Sequence, residues 1–314
     1  MQKGGAVYLA MRLLTRADFD GICCAALLKE IGVIDSIQFA HPRDIQEGKI
    51  PVDGNSVIAN APYVEGCALW FDHHLSEAER LKYLGTFNGL SASAPSAARV
   101  IYEYYGGPER FPESFEEMMN YVDIVDSASF GEKDVLEPRG WILLGFICDP
   151  RSGLEKVQGF SVSNEQFMLD LIDHLRTRRI EDILDLPDVR ERTEMYFQMD
   201  QFSRDFLMSA STVDGPVVIV DTRGFEQVPP GNRFLIYSLF PETNISIRII
   251  EEEDGRITLA VGHSVMNRTS KVKVGPMLLK YGGGGHARVG TCTVNAADSS
   301  RIMKEIIKEI KSAG

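Results

Sequence analysis

Short apolar runs alternate with longer amphipathic stretches over the first part of the chain. The runs that predict strands are Arg12–Thr15, Ser36–Ala40, Ser56–Ala59 and Ala68–Phe71. The stretches that predict helices are Ile22–Ile31, Ser96–Tyr105 and Phe115–Val125. Strands that alternate with helices are typical of βαβ units. The pattern therefore predicts an α/β domain built on a parallel, doubly wound sheet.

The pattern changes twice further along the chain. A polar section comes first, with a break at Pro187 and predicted helices at Asn164–Arg179, Ile180–Leu186 and Val189–Leu207. The last part has predicted strands at Pro216–Val220, Asn244–Ile250, Ile257–His263 and Thr291–Val294, and an amphipathic helix at Arg301–Ile310. We therefore predict a first domain over 1–190, a helical connector over 191–210 and a smaller α/β domain over 211–314.

The composition is that of an ordinary globular protein. The chain has 314 residues, 44% hydrophobic and 25% charged, which indicates about two domains. No run approaches the ~18 apolar residues of a membrane span, and Met1–Ala10 is interpreted as a short extension with too little apolar sequence for a signal peptide. Five cysteines without Cys-x-x-Cys spacing argue against a disulfide scaffold or a zinc knuckle. We expect a cytoplasmic protein.

The net charge of the chain restricts the kinds of ligand that we expect it to bind. A net charge of −12 opposes binding to long nucleic acid, whose affinity comes mainly from phosphate neutralisation. The same charge is compatible with a small ligand held by a metal and a few arginines, because cations make clustered carboxylates tolerable. We therefore expect a small phosphorylated substrate or a short oligonucleotide, no long nucleic acid and no membrane. A homodimer is compatible with the chain.

Acidic residues and histidines follow apolar runs at three places. They are Asp18 and Asp20 after the first predicted strand, Asp72, His73 and His74 after the fourth, and Asp126 after the Phe115–Val125 helix. Carboxylates with an imidazole suit a divalent ion, and a parallel sheet gathers such loops at the carboxyl ends of its strands. The candidate metal ligands are Asp18, Asp20, His73 and Asp126, with Asp72 or His74 orienting His73.

Each of these motifs also has an ordinary structural interpretation. Asp-x-Asp-Gly is common in turns, and a pair of histidines at a strand end is often structural. Their combination favours metal-assisted hydrolysis, in which the ions activate a water and hold the oxygens of a phosphoryl displacement. The chain carries no Ser/His/Asp nucleophile signature and no Walker loop.

A glycine run near the end of the chain offers backbone donors to an anion. Gly282–His286 permits close approach and positive φ, and the segment Asn267-Arg268-Thr269-Ser270 adds donors suited to phosphate. A flexible turn is the alternative interpretation of the glycine run. The candidate substrate-binding residues are Arg268, Asn267, Ser270, Gly283, Gly284, Gly285 and His286.

Taken in order, the motifs resemble those of the DHH phosphoesterases. The matching segments are Asp18-Phe19-Asp20-Gly21, Asp72-His73-His74, Asp126-Ser127-Ala128-Ser129-Phe130 and Gly282–Gly290. The last part resembles the DHH-associated domain of nanoRNases and RecJ-like exonucleases, so the resemblance covers nearly the whole chain. It implies a manganese-dependent phosphoesterase with its active site between the domains. It also implies that the first-domain motifs bind metal and that the glycine–histidine loop binds a terminal phosphate or nucleotide.

Two positions depart from the pattern that this resemblance implies. Leu14 stands where the first motif has a metal-binding histidine, and Asn60 stands where the second motif has a bridging aspartate. An amide oxygen is a poorer ligand than a carboxylate, so we expect Asn60 to be a marginal ligand and one metal position to be weakened. His41 is a candidate replacement for the missing imidazole, and a loop histidine packed by Pro42 is the alternative.

The leading hypothesis is a Mn²⁺-dependent phosphohydrolase, with one or two ions, that acts on short oligonucleotides, dinucleotides or related phosphoesters in an interdomain cleft. His74, with Asp72, would orient or polarise the reacting groups. The alternative is a catalytically reduced nucleotide- or phosphate-binding sensor, which Leu14 and Asn60 favour. An exopolyphosphatase is the third interpretation.

Overall fold

The computed structural model describes residues 11–74, 77 and 86–313. Within these residues the chain forms two compact units. The first unit consists of the described residues as far as Ala128, Arg139–Pro150 and Gln158–Arg192. The second unit consists of Ser129–Pro138, Arg151–Val157 and the described residues from Thr193 onward. The predicted extension Met1–Ala10 lies outside the described residues, and the predicted three-part division of the chain stays a prediction.

A parallel sheet of five strands, in the order β2-β1-β3-β4-β5, forms the centre of the first unit. The strands are β1 (Arg12–Thr15), β2 (Ser36–Phe39), β3 (Ser56–Ala59), β4 (Leu69–Asp72) and β5 (Gly89–Ser91). Leu13 of β1 aligns with Ile37 of β2 and with Val57 of β3. All four residues of β3 are buried, as expected where both faces of a parallel sheet are covered. The predicted parallel α/β sheet is confirmed.

Helices connect and flank these strands. The helices of the first unit include Phe19–Glu30, Pro42–Gln46, Ala97–Tyr104, Ser114–Asp126, Gly140–Cys148, Asn164–Thr177 and Ile180–Leu184. The Phe19–Glu30 helix is buried at every position from Phe19 to Leu28, which explains its apolar, alanine-containing sequence. The predicted run Val189–Leu207 forms two helices, Pro187–Gln198 and Asp200–Ala210. Pro187 begins the first of these two helices, because the first turn needs no N–H from proline.

Three adjacent strands of the parallel sheet bring the predicted motif loops together. β1, β3 and β4 are neighbours, and their carboxyl ends lead into the loops that carry Asp18, Asn60 and His73. In a parallel sheet these ends lie at one edge. The sequence-based placement of the motifs at one edge of the sheet is therefore confirmed.

The second unit has a mixed sheet of six strands, in the order β10-β11-β9-β8-β7-β6. The strands are β6 (Ser211–Asp214), β7 (Val217–Asp221), β8 (Ile245–Glu251), β9 (Ile257–His263), β10 (Gly284–Gly285) and β11 (Val289–Val294). β7 and β8 are parallel, and the other pairs are antiparallel. Along β8, the isoleucines Ile245, Ile247 and Ile249 are buried in alternation with less buried residues, so one face of the sheet packs on the core.

The closing helix completes the core of the second unit. It spans Ala296–Ser312 and places Ile302, Ile306, Ile307 and Ile310 in the same apolar cluster as the β8 isoleucines. The other helices of this unit include Glu132–Leu136, Asp200–Ala210, Ile236–Leu239 and Val274–Leu278. The predicted amphipathic face of the closing helix is confirmed. Among the described residues, no helix is both long enough and apolar enough to cross a membrane.

Candidate functional site

Asp20 is held in place by the first turn of a second helix. It lies in the first turn of the Phe19–Glu30 helix and is 2% exposed. Its Oδ2 accepts a hydrogen bond from the Ala97 N–H at 2.9 Å, and its Oδ1 accepts one from the Ala98 N–H at 2.8 Å. These two N–H groups belong to the start of the Ala97–Tyr104 helix, where no helical carbonyl is available to them. The carboxylate therefore has a fixed position.

His73 points its Nε2 atom at two carboxylates. Its Nδ1 lies 3.1 Å from the carbonyl oxygen of Ala94; since a carbonyl only accepts, Nδ1 carries the proton and Nε2 has a lone pair in the neutral ring. Nε2 lies 3.1 Å from Asp126 Oδ2 and 4.0 Å from Asp20 Oδ2. The backbone carbonyl thus selects the tautomer that a metal ligand needs.

Asp126 ends the Ser114–Asp126 helix, and its position follows from close helix packing. A Cβ atom on Gly145 would lie 2.8 Å from Cγ2 of Val125, the residue before Asp126. Glycine at position 145 therefore lets the Gly140–Cys148 helix approach the last turn that carries the carboxylate. The Asp126 side chain is 25% exposed, so the site has an open side at this residue.

Asp20, His73 and Asp126 form a cluster that fits a divalent cation. One ligand atom from each lies within 4.8 Å of the other two. The set consists of two hard oxygen donors and one imidazole nitrogen, which are ligands for Mn²⁺, Mg²⁺ or Zn²⁺. An imidazole lone pair that faces two ionised carboxylates is repulsive unless a cation lies between them. The residues present therefore fit a metal ion.

The raised pKa values of the two carboxyl groups agree with a site for a divalent cation. Burial, together with the charge of Asp18, raises the pKa of Asp20 to about 7. Burial, together with the charge of Asp20, raises the pKa of Asp126 to about 7. Asp20 is almost completely buried, and Asp126, although 25% of its side chain is exposed, lies close to the charges of Asp20 and Asp18, so ionisation of either acid is costly. A bound divalent cation would favour the charged forms and reverse both shifts.

Asp72 holds the second histidine of the motif. His74 donates from its backbone N–H to Asp72 Oδ2 at 3.0 Å, and its Nδ1 lies 2.8 Å from Asp72 Oδ1. Asp72 is fully buried, whereas the His74 side chain is 25% exposed. Burial by itself would lower the pKa of His74, but the hydrogen bond and charge of Asp72 outweigh it, and the pKa is raised. Asp72 thus orients His74, whereas the Nδ1 of His73 lies against the Ala94 carbonyl.

The structure places Asp18 in different surroundings from Asp20. Asp18 Oδ1 accepts hydrogen bonds from the Gly21 N–H at 2.9 Å and from Asn60 Nδ2 at 3.0 Å, and Oδ2 lies 3.1 Å from Arg16 Nε. Asp18 therefore caps the Phe19–Glu30 helix. The metal roles predicted for Asp18 and Asn60 stay predictions.

His41 and Leu14 lie in ordinary structural positions. His41 caps the Pro42–Gln46 helix, since its Nδ1 accepts from the Arg43 N–H at 3.2 Å, and it is exposed. Leu14 is fully buried in an apolar cluster with Ile58 and Trp70. This capping contact supports the interpretation of His41 as a loop histidine rather than as a replacement metal ligand.

Sequence reasoning did not single out several residues that support the site. Asp123 accepts hydrogen bonds from Ser96 Oγ at 2.7 Å and from Arg99 Nε at 2.8 Å. These contacts tie the Ser114–Asp126 helix to the start of the helix that holds Asp20. The one available signal was Ser96, a typical N-cap residue before an apolar run. Arg16 was also missed, because an arginine in a loop has no distinctive spacing.

In the second unit, the predicted polar segment is tied to its own loops. Asn267 donates from Nδ2 to the carbonyl oxygens of Pro241 at 3.4 Å and Glu242 at 3.3 Å. Arg268 donates from Nε to Val265 O at 2.8 Å and from Nη2 to Phe130 O at 3.3 Å. The Oγ of Ser270 accepts from the Val272 N–H at 3.4 Å. These contacts order the segment, and its predicted role in substrate binding stays a prediction.

The glycine run forms a closely packed turn. Gly284 and Gly285 pair with Thr291 and Gly290 as a short antiparallel ladder. Gly285 has φ +140°, and a Cβ there would lie 2.3 Å from Val289 O. A Cβ on Gly283 would lie 2.2 Å from Thr291 O. The His286 N–H donates to Val289 O at 2.7 Å. Glycine is therefore required by packing within the second unit, and the anion-binding role predicted for Gly283–His286 stays a prediction.

Comparison with known proteins identifies the class. No family model matches the chain, and no curated protein matches it. Among solved structures, the chain is 42% identical to PggH from Vibrio cholerae, a pGpG-specific phosphodiesterase, with a TM-score of 0.78 over 97% of this chain and 100% of that one. Such identity over nearly the full length shows that this two-unit α/β chain and PggH belong to one family.

Two more distant structures share the fold alone. The DHH domain of a protein described as a member of a ribosomal protein family is 14% identical, with a TM-score of 0.59 over 96% of this chain and 86% of that one. RecJ from Thermus thermophilus, in complex with Mn²⁺, is 11% identical, with a TM-score of 0.50 over 96% of this chain and 52% of RecJ. All three proteins are DHH-family members, and this chain belongs to the DHH phosphoesterase family.

Proposed function

We propose that the protein is a metal-dependent phosphodiesterase that hydrolyses a short 5′-phosphorylated dinucleotide such as pGpG, or a short oligonucleotide. The observation that carries this proposal is the cluster of Asp20, His73 and Asp126, whose ligand atoms lie within 4.8 Å of one another. The 42% identity to a pGpG-specific phosphodiesterase supports the substrate class. Mn²⁺ is the proposed ion, because two of the three groups in the cluster are carboxylates, which suit this ion.

The three residues of the cluster would hold the ion, and their neighbours would hold them. When bound, the ion would act as a Lewis acid, which would activate a water and neutralise charge on the phosphate. Asp20 stays in place because two backbone N–H groups bind its oxygens. His73 stays in the required tautomer because the Ala94 carbonyl binds its Nδ1 proton. These contacts fix two of the three proposed ligands, Asp20 and His73, before an ion binds.

His74 is proposed to act on the leaving group. Hydrolysis of a phosphodiester forms a bond from the water oxygen to phosphorus, which releases a proton from the water, and breaks the bond from phosphorus to the ester oxygen, which takes up one proton. Asp72 fixes Nδ1 of His74, so Nε2 is the atom through which this residue would exchange a proton with that oxygen. The 25% exposure of the side chain is compatible with contact to a substrate.

The substrate class also agrees with the charge of the protein. A net charge of −12 disfavours long nucleic acid, whereas a dinucleotide carries few phosphates and can be held by one ion and a few arginines. Arg268 and the Gly283–His286 turn are proposed to bind the terminal phosphate through guanidinium and backbone donors.

The proposal is tested by incubating the purified protein with pGpG, with unphosphorylated GpG and with a polyphosphate, each with Mn²⁺ and with EDTA. We expect conversion of pGpG to GMP that requires Mn²⁺ and is lost in Asp20→Ala and His73→Ala. Both variants should also lose Mn²⁺ binding in calorimetry. If pGpG binds without being hydrolysed in any metal, the protein is a sensor, and hydrolysis of polyphosphate alone would make it an exopolyphosphatase.

A further inference from the structure

The two acidic residues of the first motif face different partners. Asp20 faces the candidate metal ligands, with its Oδ2 4.0 Å from His73 Nε2. Asp18 instead receives three donors, from Gly21, Asn60 and Arg16, at 2.9 to 3.1 Å. It is 7% exposed. A carboxylate with this many donors is already satisfied and neutralised, so it has little reason to bind an ion.

Asn60 takes part in this arrangement as a donor. Its Nδ2 is directed at Asp18 Oδ1, and the opposite orientation of the amide would place two acceptor oxygens against each other. The residue is 1% exposed and has φ +53°, the left-handed conformation that asparagine tolerates. Its Oδ1 is buried and has no hydrogen-bond partner among the described residues. The Asn60 amide therefore supports Asp18 and adds no charge.

Arg16 supplies the positive charge at this position. Its Nε lies 3.1 Å from Asp18 Oδ2, and its side chain is 28% exposed. Among the described residues this ion pair is the one interaction found for its guanidinium, so the two Nη groups are available to another acceptor. The backbone is fixed as well, because a Cβ on Gly21 would lie 2.0 Å from Arg16 O. Arg16 directly follows β1, in the short loop that leads to Asp20 at the carboxyl edge of the parallel sheet.

We propose that Arg16 is a catalytic residue that binds a non-bridging oxygen of the scissile phosphate, in a centre that holds a single divalent ion. The inference rests on the proposed phosphodiesterase function. Arg16 and Asp18 neutralise one another, which leaves the two charges of Asp20 and Asp126 for one divalent ion. The guanidinium then supplies the positive charge that a second metal ion would bring, and unlike an ion it cannot dissociate from the protein.

The chemistry of arginine suits this role. As water adds to phosphorus, negative charge grows on the non-bridging oxygens until the ester bond breaks. A planar guanidinium can bind Asp18 through Nε and a phosphate oxygen through Nη at the same time. A lysine could keep the charge but could not make both contacts with the same geometry.

The number of bound ions tests the claim that the centre holds a single divalent ion, and this test needs no substrate. The wild-type protein is saturated with Mn²⁺, passed through a desalting column and analysed for metal and protein, with low-temperature electron paramagnetic resonance on the same sample. We expect one Mn²⁺ per chain and the spectrum of an isolated ion. Two ions per chain with a spin-coupled spectrum would overturn the proposal, because the second ion would need the position that Arg16 neutralises.

Substitution of Arg16 tests the claim that its guanidinium binds the scissile phosphate. In Arg16→Met we expect Mn²⁺ affinity within about threefold of wild type and a fall in kcat on pGpG of about 100-fold or more, the loss typical of a donor to transition-state charge. Arg16→Lys should recover part of kcat. The matched control is Arg43→Met, which removes an exposed arginine of the Pro42–Gln46 helix that pairs with Glu47 and should leave kcat unchanged. Unchanged kcat in Arg16→Met would make the ion pair purely structural.

A neutral analogue tests the contact itself. The affinity of pGpG and of its methylphosphonate-linked analogue is measured in EDTA, where no hydrolysis occurs, for wild type and for Arg16→Met. Wild type should prefer the charged linkage by about 10- to 150-fold, the scale of one hydrogen bond to a charged group, and Arg16→Met should bind both alike. An equal preference in the two proteins would refute the contact. If instead the wild type hydrolyses no phosphodiester, the proposed function fails, and the ion count still decides the state of the centre.

Discussion

The carboxylate of Asp20 accepts a hydrogen bond at 2.9 Å from the backbone N–H of Ala97, at the start of a helix far along the chain. Together with the bond from Ala98, this contact joins two helices through a residue that also faces the candidate metal site. Asp20 thus contributes to the fold and to the site at once. Asp126, by contrast, ends its helix with a side chain that is 25% exposed.

The first prediction separates these two carboxylates by stability. Asp20→Ala and Asp126→Ala should both abolish tight Mn²⁺ binding. In EDTA, however, Asp20→Ala should be less stable than Asp126→Ala by about 1–3 kcal/mol, because it leaves two buried N–H groups without an acceptor. Calorimetric titration with Mn²⁺ and urea unfolding measure the two properties. Equal stability of the variants would show that the helix start does not depend on Asp20.

The second prediction concerns pH. The folded-state pKa of Asp20 and of Asp126 is raised to about 7, above the unfolded value of about 3.9. The metal-free folded protein therefore binds protons more tightly than the unfolded chain. The resulting stabilisation is complete below the unfolded pKa and is lost as pH rises through about 7. Metal-free protein should accordingly lose stability as the pH is raised from about 5 to about 8.

Asp126→Asn isolates part of this effect, because the amide cannot ionise. In EDTA at pH 8 the variant should unfold at a higher temperature than wild type, and its stability should fall less steeply with pH. With saturating Mn²⁺ the order should reverse, since only wild type gains stability from the ion. Thermal unfolding followed by circular dichroism at several pH values measures both. A variant that is less stable than wild type in EDTA at pH 8 would contradict the raised pKa.

The parallel sheet and the placement of Asp20 and His73 could be predicted from sequence for physical reasons. Buried parallel strands are short apolar runs, and polar residues directly after such runs must lie at the carboxyl edge of the sheet. The Ala97–Tyr104 helix start was harder, because its role depends on a tertiary contact to Asp20 that no local pattern encodes. Arg16 was not predicted either, because an arginine in a loop has no distinctive spacing.

The glycine run illustrates a different limit of sequence reasoning. Glycine suits both an anion-binding loop and a crowded turn, and the sequence does not distinguish between these uses. In the structure, crowding by Val289 O and by Thr291 O explains Gly285 and Gly283. Packing accounts for these glycines without any ligand, so their presence by itself is not evidence of a binding site.

The third prediction compares two neighbouring glycines. Gly285→Ala should destabilise the protein by more than about 1 kcal/mol, since the residue has φ +140° and the new Cβ would lie 2.3 Å from Val289 O. Gly284→Ala should stay within about 0.5 kcal/mol of wild type, because the nearest atom to its Cβ is Leu279 Cδ2 at 3.9 Å. Urea unfolding of the variants decides. Equal losses in both would mean that the turn geometry is wrong.

The fourth prediction concerns the two departures from the family pattern. Asn60→Asp should raise Mn²⁺ occupancy, because a carboxylate replaces the amide beside Asp18. Adding Leu14→His should lower stability by about 2–5 kcal/mol, since Leu14 is fully buried in an apolar cluster. Metal analysis and urea unfolding of the single and double variants test both statements. If Asn60→Asp leaves the Mn²⁺ occupancy unchanged, the claim that Asn60 weakens a metal position is wrong.

The fifth prediction concerns Arg268. If its guanidinium binds the terminal phosphate, Arg268→Ala should weaken binding of pGpG by about 1.5–3 kcal/mol, the value of one hydrogen bond to a charged group. Binding of GpG, which lacks that phosphate, should change little, and so should Mn²⁺ affinity. Calorimetry in EDTA with the two dinucleotides measures the difference.

Loss of the Arg268 contacts to Val265 O and Phe130 O could loosen the loops, and this would weaken both dinucleotides alike. The comparison of pGpG with GpG therefore separates phosphate binding from local structure. Arg256→Ala serves as the control, because Arg256 lies in an exposed ion pair with Asp254 and should affect neither ligand. His286→Ala is measured in the same way. Equal weakening of pGpG and GpG in Arg268→Ala would assign Arg268 to loop structure and place the phosphate elsewhere.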